Sequence, residues 1–362
     1  MDDLPEPLEQ ALALIAEGQA GEAVIALRAL IDAGRGGLLA RLALSRALAA
    51  AGDVGEAMAE AREAVLLNPR MAIAALGLGE AMLAANMLPT AIAEFQRALR
   101  LDENLTVAHY YLGCAWLEAG EPDRALEHFG LVPADDMPGD MTAKIAEAEA
   151  IRVRMRSDPR YLRHLFDQFS TDYDARMLGP LRYNGHTIVR ELANLVLGMP
   201  RNDLVILDLG CGTGLGGLAF WDLASRIDGV DISPAMIAKA SERGVYETLT
   251  TGDIETLLNE DGRGYDLMIA ADTLVYLGDL SALLPGVAKR LVPGGHFLFT
   301  TEKKEGDGFE LGPKRRWRHS ENYLRETANA AGLNMAGLVA CTPRFEANIP
   351  VAGLAVALAK PA

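Results

Sequence analysis

The stretch Leu204-Val-Ile-Leu-Asp-Leu-Gly-Cys-Gly-Thr-Gly214 decides the fold of the second half of the chain. Its first six residues predict a buried β-strand, and three glycines at alternate positions follow directly. Glycine permits backbone conformations that other residues rarely adopt, so this loop is expected to lie against a ligand at the carboxyl edge of a sheet. The spacing differs from the dinucleotide fingerprint Gly-x-Gly-x-x-Gly. The carboxylate of Asp208 would repel a pyrophosphate but would suit a ligand that carries an ammonium or sulfonium group.

Apolar runs alternate with helical segments in the rest of this half, which predicts a doubly wound, mainly parallel sheet. A short turn-like stretch separates the last two predicted strands, so these two could pair antiparallel. The predicted strands cover residues 204–209, 226–231, 246–250, 266–271, 296–301, 335–341 and 351–358.

Acidic residues stand where successive predicted strands end. Asp231 follows the second strand, where a carboxylate can accept hydrogen bonds from both hydroxyls of a ribose. The apolar residues Ile232 and Met236 come next and could pack on an adenine. Asp253 follows the third strand and could accept from the adenine amino group, and Asp272 follows the fourth strand, beside the position expected for the reactive group.

This succession of motifs closely resembles the class I S-adenosylmethionine-dependent methyltransferases. The matching stretches are DLGCGTG at 208–214, VDIS at 230–233, GDI at 252–254, YDLMIAADTLVYL at 265–277 and LVPGGHFLFTTE at 291–302. The resemblance covers about residues 160–360 and implies a seven-stranded Rossmann-like sheet with S-adenosylmethionine as cofactor. It implies that the glycine loop contacts the methionyl part and that Asp231 contacts the ribose. The cofactor residues expected in this part of the chain are Asp208, Gly210, Cys211, Gly212, Gly214, Asp231, Ile232, Met236, Asp253, Ile254 and Asp272.

Aromatic residues cluster before the first strand, in the stretch from Tyr161 to Tyr183. This FDQF…YD…LRY pattern resembles the cap segment of small-molecule methyltransferases of the biotin and quinone pathways, and that of bacterial methyltransferases fused to tetratricopeptide repeats. The resemblance implies that the segment covers the cofactor and helps to form the substrate pocket. An amphipathic helix that packs its aromatic residues inward explains the pattern equally well. The candidates are Tyr161, Phe166 and Tyr173 for the cofactor, and Phe169 and Tyr183 for the acceptor.

A basic stretch at residues 314–323 holds the catalytic candidates, His319 and Tyr323. In the repeat-fused methyltransferases that this chain resembles, a loop here ends in Arg, His and Ser before a helix bearing a Tyr. His319 could orient the acceptor or act as a general base near neutral pH, while a capping histidine is the alternative. A guanidinium binds a carboxylate or phosphate in two-pronged fashion, although a solvated basic turn is also possible. The substrate candidates are Glu302, Arg316, Arg318 and Arg344.

The first half of the chain repeats with a period of 34 residues. Three sets of positions show the period: Gly18, Gly52, Asn86 and Gly120; Ala23, Ala57, Ala91 and Ala125; Leu27, Ala61, Phe95 and Phe129. The pattern resembles the tetratricopeptide repeat, in which each unit is a pair of antiparallel helices. About four units and a closing helix predict a repeat domain at 1–156 and a methyltransferase domain at 157–362. Such a solenoid recruits a peptide or protein partner in its groove, or it serves only self-association or scaffolding.

Composition and charge exclude several classes of function. The 362 residues carry a formal net charge of −16, which disfavours non-specific binding to nucleic acid or anionic membranes. The acidic N-terminus lacks the features of a signal peptide, so a cytoplasmic protein is expected. The three cysteines have no metal-ligand spacing and form no disulfide framework, and no metal is expected. Residues 1–155 carry 24 acidic and 12 basic side chains, and the remainder 26 and 22, so most of the excess lies on the repeats.

Together these features predict a methyltransferase with a small-molecule or peptide acceptor. A methyl sulfonium is already electrophilic, so the protein must mainly hold the acceptor in line with it and exclude water. A general base is needed only for hydroxyl or protonated-amine acceptors. Residues 272–276 lack the Asp-Pro-Pro-Tyr loop of amino-methylating DNA enzymes. The alternative is an interaction scaffold whose methyltransferase domain binds cofactor but turns over weakly.

Overall fold

The computed structural model describes residues 6–198, 201–260, 262–312 and 314–362. The chain divides into two compact units, the first ending at Val153 and the second beginning at Arg154. The predicted boundary, between residues 156 and 157, lies slightly further along the chain. Residues 154–156 therefore belong to the second unit.

The first unit is α-helical. Each helix packs against the next, and alternate helices from α1 to α9 also pack against each other, as in a helical solenoid. A 3-10 turn at Ala134–Asp136 precedes the last helix. The helices are α1 (Glu6–Ala16), α2 (Ala20–Asp32), α3 (Gly37–Ala51), α4 (Val54–Leu67), α5 (Ala72–Ala84), α6 (Leu88–Leu101), α7 (Thr106–Glu118), α8 (Pro122–Phe129) and α9 (Met141–Arg152).

The three sets of 34-residue positions have the local structures that their residue types favour. The turn positions all have positive φ, which glycine and asparagine tolerate best: Gly18, Gly52, Asn86 and Gly120. The alanine set is fully buried, so a small side chain lets neighbouring helices approach closely. The third set is buried as well, and its two phenylalanines, Phe95 and Phe129, lie directly against Gly79 and Gly113.

The second unit is an α/β domain. Its helices are α10 (Pro159–Phe169), α11 (Tyr173–Leu178), α12 (Gly185–Val196), α13 (Leu215–Phe220), α14 (Pro234–Ser241), α15 (Ile254–Asn259), α16 (Leu283–Arg290) and α17 (Glu321–Ala330). Its strands are β1 (Leu204–Leu209), β2 (Ala224–Asp231), β3 (Thr248–Thr251), β4 (Tyr265–Ala270), β5 (Leu291–Lys303), β6 (Phe309–Leu311), β7 (Trp317–His319), β8 (Asn334–Cys341), β9 (Phe345–Glu346), β10 (Ile349–Pro350) and β11 (Gly353–Ala359). Two 3-10 turns lie at Trp221–Leu223 and Leu274–Tyr276.

The main path of the sheet, within the described residues, runs β3-β2-β1-β4-β5-β11-β8. The pairs from β3 to β5 are parallel, and β11 is antiparallel to both β5 and β8. The mainly parallel sheet and the antiparallel pairing of the last two predicted strands are confirmed. Strands β6 and β7 were not predicted from the sequence; β7 pairs with the end of β5, β6 pairs with β7, and His319 therefore lies in a strand.

Strand β1 is buried on both faces, which explains its continuous apolar run. Leu207 and Leu209 join the core on one side of the sheet, and Leu204 and Ile206 join the core on the other side. Because β1 ends at Leu209, the loop that follows it lies at the carboxyl edge of the sheet. Among the described residues, no helix has both the length and the apolar character needed to cross a bilayer.

We expect Gly113→Ala to destabilise the first unit. A Cβ on Gly113, in α7, would overlap the Phe129 ring, so the helices would have to separate or the ring would have to move. Overpacking of this kind costs about 1–3 kcal/mol, and thermal unfolding measures the loss. The matched control is Gly55→Ala in α4, where a Cβ meets nothing within 4 Å. An unchanged stability of Gly113→Ala would contradict this account of the packing.

Candidate active site

A cleft opens at the carboxyl ends of β1, β2 and β4. These strands are parallel neighbours, so the loops that follow them meet at one edge of the sheet. Helix α10 contributes two further side chains. The lining residues are Arg156, Leu162, Phe166, Tyr173, Gly210, Gly212, Asp231, Ile232, Met236, Gly252, Asp253, Ile254, Ala271, Asp272, Thr273, Tyr276 and Leu277.

The glycine loop is tied to the end of β2. The amides of Gly210 and Cys211 donate to the Val230 carbonyl over 2.8 and 3.0 Å. A Cβ on Gly210 would lie 2.5 Å from Thr273, whereas one on Gly212 would meet nothing within 4 Å. Both glycines have positive φ. The loop therefore needs glycine for its path, and at Gly212 the backbone itself faces the cleft.

Asp231 is the buried carboxylate of the cleft. Its Oδ2 accepts from the Gly212 amide and its Oδ1 from the Ser233 amide, each over 2.9 Å. Burial raises its pKa to about 6, because the charged form loses hydration. Each carboxylate oxygen still has lone pairs for a hydroxyl ligand. Beside it, Ile232 and Met236 present apolar surface, as the sequence predicts.

Asp253 lies at the far side of the same cleft and is already paired. Its Oδ1 caps α15 by accepting from the amides of Glu255 and Thr256 over 3.1 and 3.2 Å. Its Oδ2 accepts from Arg156, which also bonds Glu255. Arg156 was not among the predicted site residues, because it lies just before the predicted domain boundary.

Three aromatic rings form another part of the cleft wall. The Phe166 ring makes edge contacts with Tyr173 and Tyr276, with centroids 6.4 and 5.5 Å apart. Tyr276 was not among the predicted site residues, although it lies in the stretch 265–277 that carries the family resemblance. Two other candidates do not line the cleft: the Tyr161 ring lies under Arg315, and the Phe169 ring lies under Arg176.

Tyr183, a predicted acceptor residue, is buried behind this wall. Its hydroxyl donates to the Ala271 carbonyl over 3.3 Å, and burial raises its pKa well above the ordinary value. It supports the end of β4 and is not among the lining residues.

Asp208 lies beneath the glycine loop, and the cleft lining does not include it. Its Oδ2 accepts from the Tyr246 hydroxyl over 2.7 Å. Burial, together with the nearby charge of Asp231, raises its pKa to about 7 despite the hydrogen bond from Tyr246. The sequence predicts that Asp208 contacts a ligand directly. In the structure its carboxylate is buried and lies outside the cleft lining. Cys211 and Gly214 are likewise absent from the lining.

His319 is fully buried in β7, away from the cleft. Its Nε2 is 3.0 Å from the Gly278 carbonyl, and its Nδ1 is 2.6 Å from the Thr301 hydroxyl. A carbonyl only accepts, so Nε2 carries the proton and Nδ1 accepts from Thr301. Burial lowers the pKa of the ring to about 4. With both nitrogens engaged, the geometry does not support the predicted role as a general base.

Tyr323 lies next to His319, and its hydroxyl is also engaged in hydrogen bonds. The two rings stack with centroids 5.8 Å apart. The Tyr323 hydroxyl donates to Asp279 over 3.0 Å and accepts from the Leu280 amide over 2.7 Å, and burial raises its pKa to about 12. The predicted catalytic pair thus connects α17, β7 and the loop after β4, with His319 buried and Tyr323 half-buried. Ser320 caps α17, because its hydroxyl accepts from the Tyr323 amide over 3.2 Å.

Asp272 is held between two arginines. Its Oδ1 accepts from Arg344 over 2.8 Å and its Oδ2 from Arg316 over 3.0 Å. The residue has a φ of +61°, a strained conformation that these two contacts stabilise. The Arg316 guanidinium also lies over the Tyr276 ring, 5.4 Å from its centroid. Asp272 is therefore a paired carboxylate at the edge of the cleft.

The other predicted substrate residues neutralise one another. Arg344 is almost completely buried and bonds both Glu302 and Glu346 in addition to Asp272. Arg318 bonds Glu302 over 3.3 Å and approaches Glu310. Glu302, Arg318 and Arg344 thus form an internal ion-pair network. Within the described part of the chain, Arg316 pairs with one carboxylate, Arg318 with two and Arg344 with three.

Comparison with known proteins agrees with this geometry. Residues 206–295 match the family model described as a methyltransferase domain. A malonyl-(acyl-carrier protein) O-methyltransferase of Yersinia pestis is 29% identical over 46% of this chain and 61% of its own. A ubiquinone biosynthesis O-methyltransferase of Xanthomonas axonopodis pv. citri is 26% identical over 37% of this chain and 62% of its own. The matches thus span about three fifths of these relatives.

Among solved structures, the magnesium protoporphyrin IX methyltransferase of Synechocystis PCC 6803 is 19% identical, with a TM-score of 0.44, over 56% of this chain and 99% of that one. The matched segment lies within the second unit, and proteins similar to it in this way use S-adenosylmethionine. The residues present fit that cofactor, because the open Gly212 backbone, the Asp231 carboxylate and the apolar Ile232 and Met236 offer surfaces for its polar and apolar parts.

We expect Asp208→Asn to stabilise the protein at pH 8 and to do so much less at pH 4. The pKa of Asp208 rises from 3.8 in a free chain to about 7 in the folded protein. Its contribution to stability is therefore fully present below pH 4 and is lost as the pH rises to 7. Thermal unfolding of both proteins at the two pH values measures the difference. Asp307→Asn, at an exposed site, is the control, and an equal gain at both pH values would refute the assignment.

Proposed function

We propose that this protein is an S-adenosylmethionine-dependent methyltransferase that acts on a small-molecule acceptor. The observation that carries the proposal is the join between Gly212 and Asp231, which places an open backbone and a buried carboxylate on one wall of the cleft. The matched family model covers the strands that build this wall. Asp231 would hold the ribose hydroxyls of the cofactor, and the glycine loop its methionyl part.

The chain's own residues supply positioning and water exclusion. When bound, S-adenosylmethionine supplies an electrophilic methyl group. Leu162 and Phe166 of α10 and Tyr276 line the cleft opposite the sheet edge and restrict water there. Alignment of the acceptor is then the main contribution of the protein.

The acceptor proposed here carries an oxyanion. His319 is engaged at both nitrogens, and both oxygens of Asp272 are paired with arginines, so neither is poised to take a proton. A carboxylate acceptor needs no base. Arg316, which has one acidic partner and lies over the Tyr276 ring, is the residue proposed to hold it. Among the relatives, the name malonyl-(acyl-carrier protein) O-methyltransferase describes an acceptor with a free carboxylate.

For the first unit we propose a tetratricopeptide repeat array that recruits a partner or a carrier-bound substrate. The 34-residue period, the positive φ at the four turn positions and the buried alanine set support it. A peptide or protein acceptor recruited by this array remains the second candidate for the methylated substrate. The excess of acidic side chains in residues 1–155 favours a basic partner segment.

We expect Asp231→Ala to weaken binding of S-adenosylhomocysteine, the product form of the cofactor, at least tenfold. The substitution removes the ribose acceptor and the partner of the Gly212 amide. A tenfold loss corresponds to about 1.4 kcal/mol, and isothermal titration measures it. Because the pKa of Asp231 is about 6, affinity of the unchanged protein falls as the pH drops from 7.5 to 5, as the carboxylate becomes protonated.

The control is Glu242→Ala, an exposed residue just after α14. It is expected to bind like the unchanged chain. Absence of measurable binding to the unchanged chain would sink the cofactor proposal. A pH dependence that persists in Asp231→Ala would assign the titration to another group.

A second experiment identifies the acceptor. The full chain is incubated with cell extract and with cofactor labelled in the methyl group, and small molecules are separated from protein. We expect label in the small-molecule fraction, released by mild base as a methyl ester would be. Arg316→Met should lower transfer at least tenfold, with cofactor affinity changed less than twofold, while Arg318→Met should have a smaller effect because Glu302 and Glu310 already occupy its guanidinium.

Two results would redirect the proposal. Label on protein would favour the peptide acceptor and the recruiting role of the repeats. Cofactor binding without transfer to any extract component would favour the interaction scaffold. Equal effects of the Arg316 and Arg318 variants would remove Arg316 from its special position.

A further inference from the structure

Residues 155–157, here called the linking segment, lie at the start of the second unit. They contact the loop after β4 and the end of β3. The Met155 carbonyl accepts from the amides of Gly278 and Asp279 over 2.7 and 3.0 Å. The Ser157 amide donates to the Tyr276 carbonyl over 2.8 Å. Between them, Arg156 forms a β-bridge with Leu277. The backbone of the linking segment is therefore fixed along the loop that follows β4.

The side chain of Arg156 extends from this backbone to the end of β3. Its guanidinium bonds the carboxylates of Asp253 and Glu255 and is largely buried, with 17% of the side chain exposed. Its Nε is buried and has no hydrogen-bond partner among the residues that the structure describes. A buried guanidinium between two carboxylates holds both in fixed positions, because separating either pair would leave a charge uncompensated.

The position of Arg156 gives it a role in ligand binding. Arg156 and Asp253 both line the cleft, next to the apolar residues Ile254 and Leu277. The capping bonds occupy Oδ1 of Asp253 and the arginine contacts Oδ2, which leaves a lone pair of Oδ2 for a donor in the cleft. A purine amino group is a donor, whereas a purine 6-oxo group is an acceptor that this carboxylate would repel.

We propose that Arg156 is a positioning residue for the purine of the cofactor, acting by holding Asp253 in the orientation that accepts from the 6-amino group. This inference rests on the proposed cofactor and goes beyond it, because it assigns a role in base selection to a residue of the linking segment. The catalytic unit then includes residues 154–156, which composition alone would assign to the repeats.

The test compares S-adenosylhomocysteine, which has a 6-amino group, with S-inosylhomocysteine, which has a 6-oxo group and a proton on N1. Their dissociation constants are measured by titration with the full chain and with Arg156→Gln. The unchanged chain should prefer the adenosyl compound at least tenfold. In Arg156→Gln, affinity for the adenosyl compound should fall about tenfold, and affinity for the inosyl compound less than threefold, so that the preference is largely lost.

The matched control is Arg154→Gln, which removes the same charge at an exposed site two residues away. It should retain the full preference. Arg156→Lys keeps the charge but not the two-pronged contact, so its preference should fall at least threefold. This milder variant keeps the proposal testable if Arg156→Gln unfolds.

The outcomes separate the two proposals. Binding of neither ligand by the unchanged chain would overturn the cofactor assignment itself. Binding with an unchanged preference in Arg156→Gln or Arg156→Lys would overturn the role of Arg156 alone. An equal loss for both ligands would show a general structural effect and would also overturn base selection.

Discussion

The hydrogen bond from the Gly212 amide to the Asp231 carboxylate is the contact on which the cleft depends. It joins the loop after β1 to the end of β2, and the amides of Gly210 and Cys211 reinforce it through the Val230 carbonyl. Burying this carboxylate is unfavourable, since its pKa rises to about 6, and the pKa of Asp208 beneath the loop rises to about 7. Above about pH 7 both acids are charged, and their negative potential then favours a cationic ligand such as a sulfonium.

Local patterns predicted the architecture well. The apolar run of β1 is buried on both faces, and the acidic residues at the ends of β2 and β3, Asp231 and Asp253, line one cleft, because parallel strands bring their carboxyl ends to one edge. The 34-residue period marked the turns with positive φ and the helix contacts. These features depend on residue type and spacing, which a sequence displays directly.

Roles that depend on distant contacts were not predictable in this way. The sequence predicts a general base at His319. In β7, however, its ring bonds Thr301 and Gly278, and burial lowers its pKa to about 4. The basic stretch at residues 314–323 predicts an anion-binding site, but Glu302 already forms ion pairs with Arg318 and Arg344. Both outcomes follow from pairing across strands β5 and β7, and β7 is too short to show a strand pattern in the sequence.

The boundary between the two units shows how composition misplaces a functional residue. The helical pattern and the acidic excess end near residue 156, so composition groups Arg156 with the repeats. Its contacts group it with the cleft, because its guanidinium bonds the end of β3 and its backbone follows the loop after β4. Along the chain, only Arg154 and Met155 separate the first unit from Arg156. The first side chain of the catalytic unit to reach the cleft thus lies only three residues after the last residue of the helical unit, Val153.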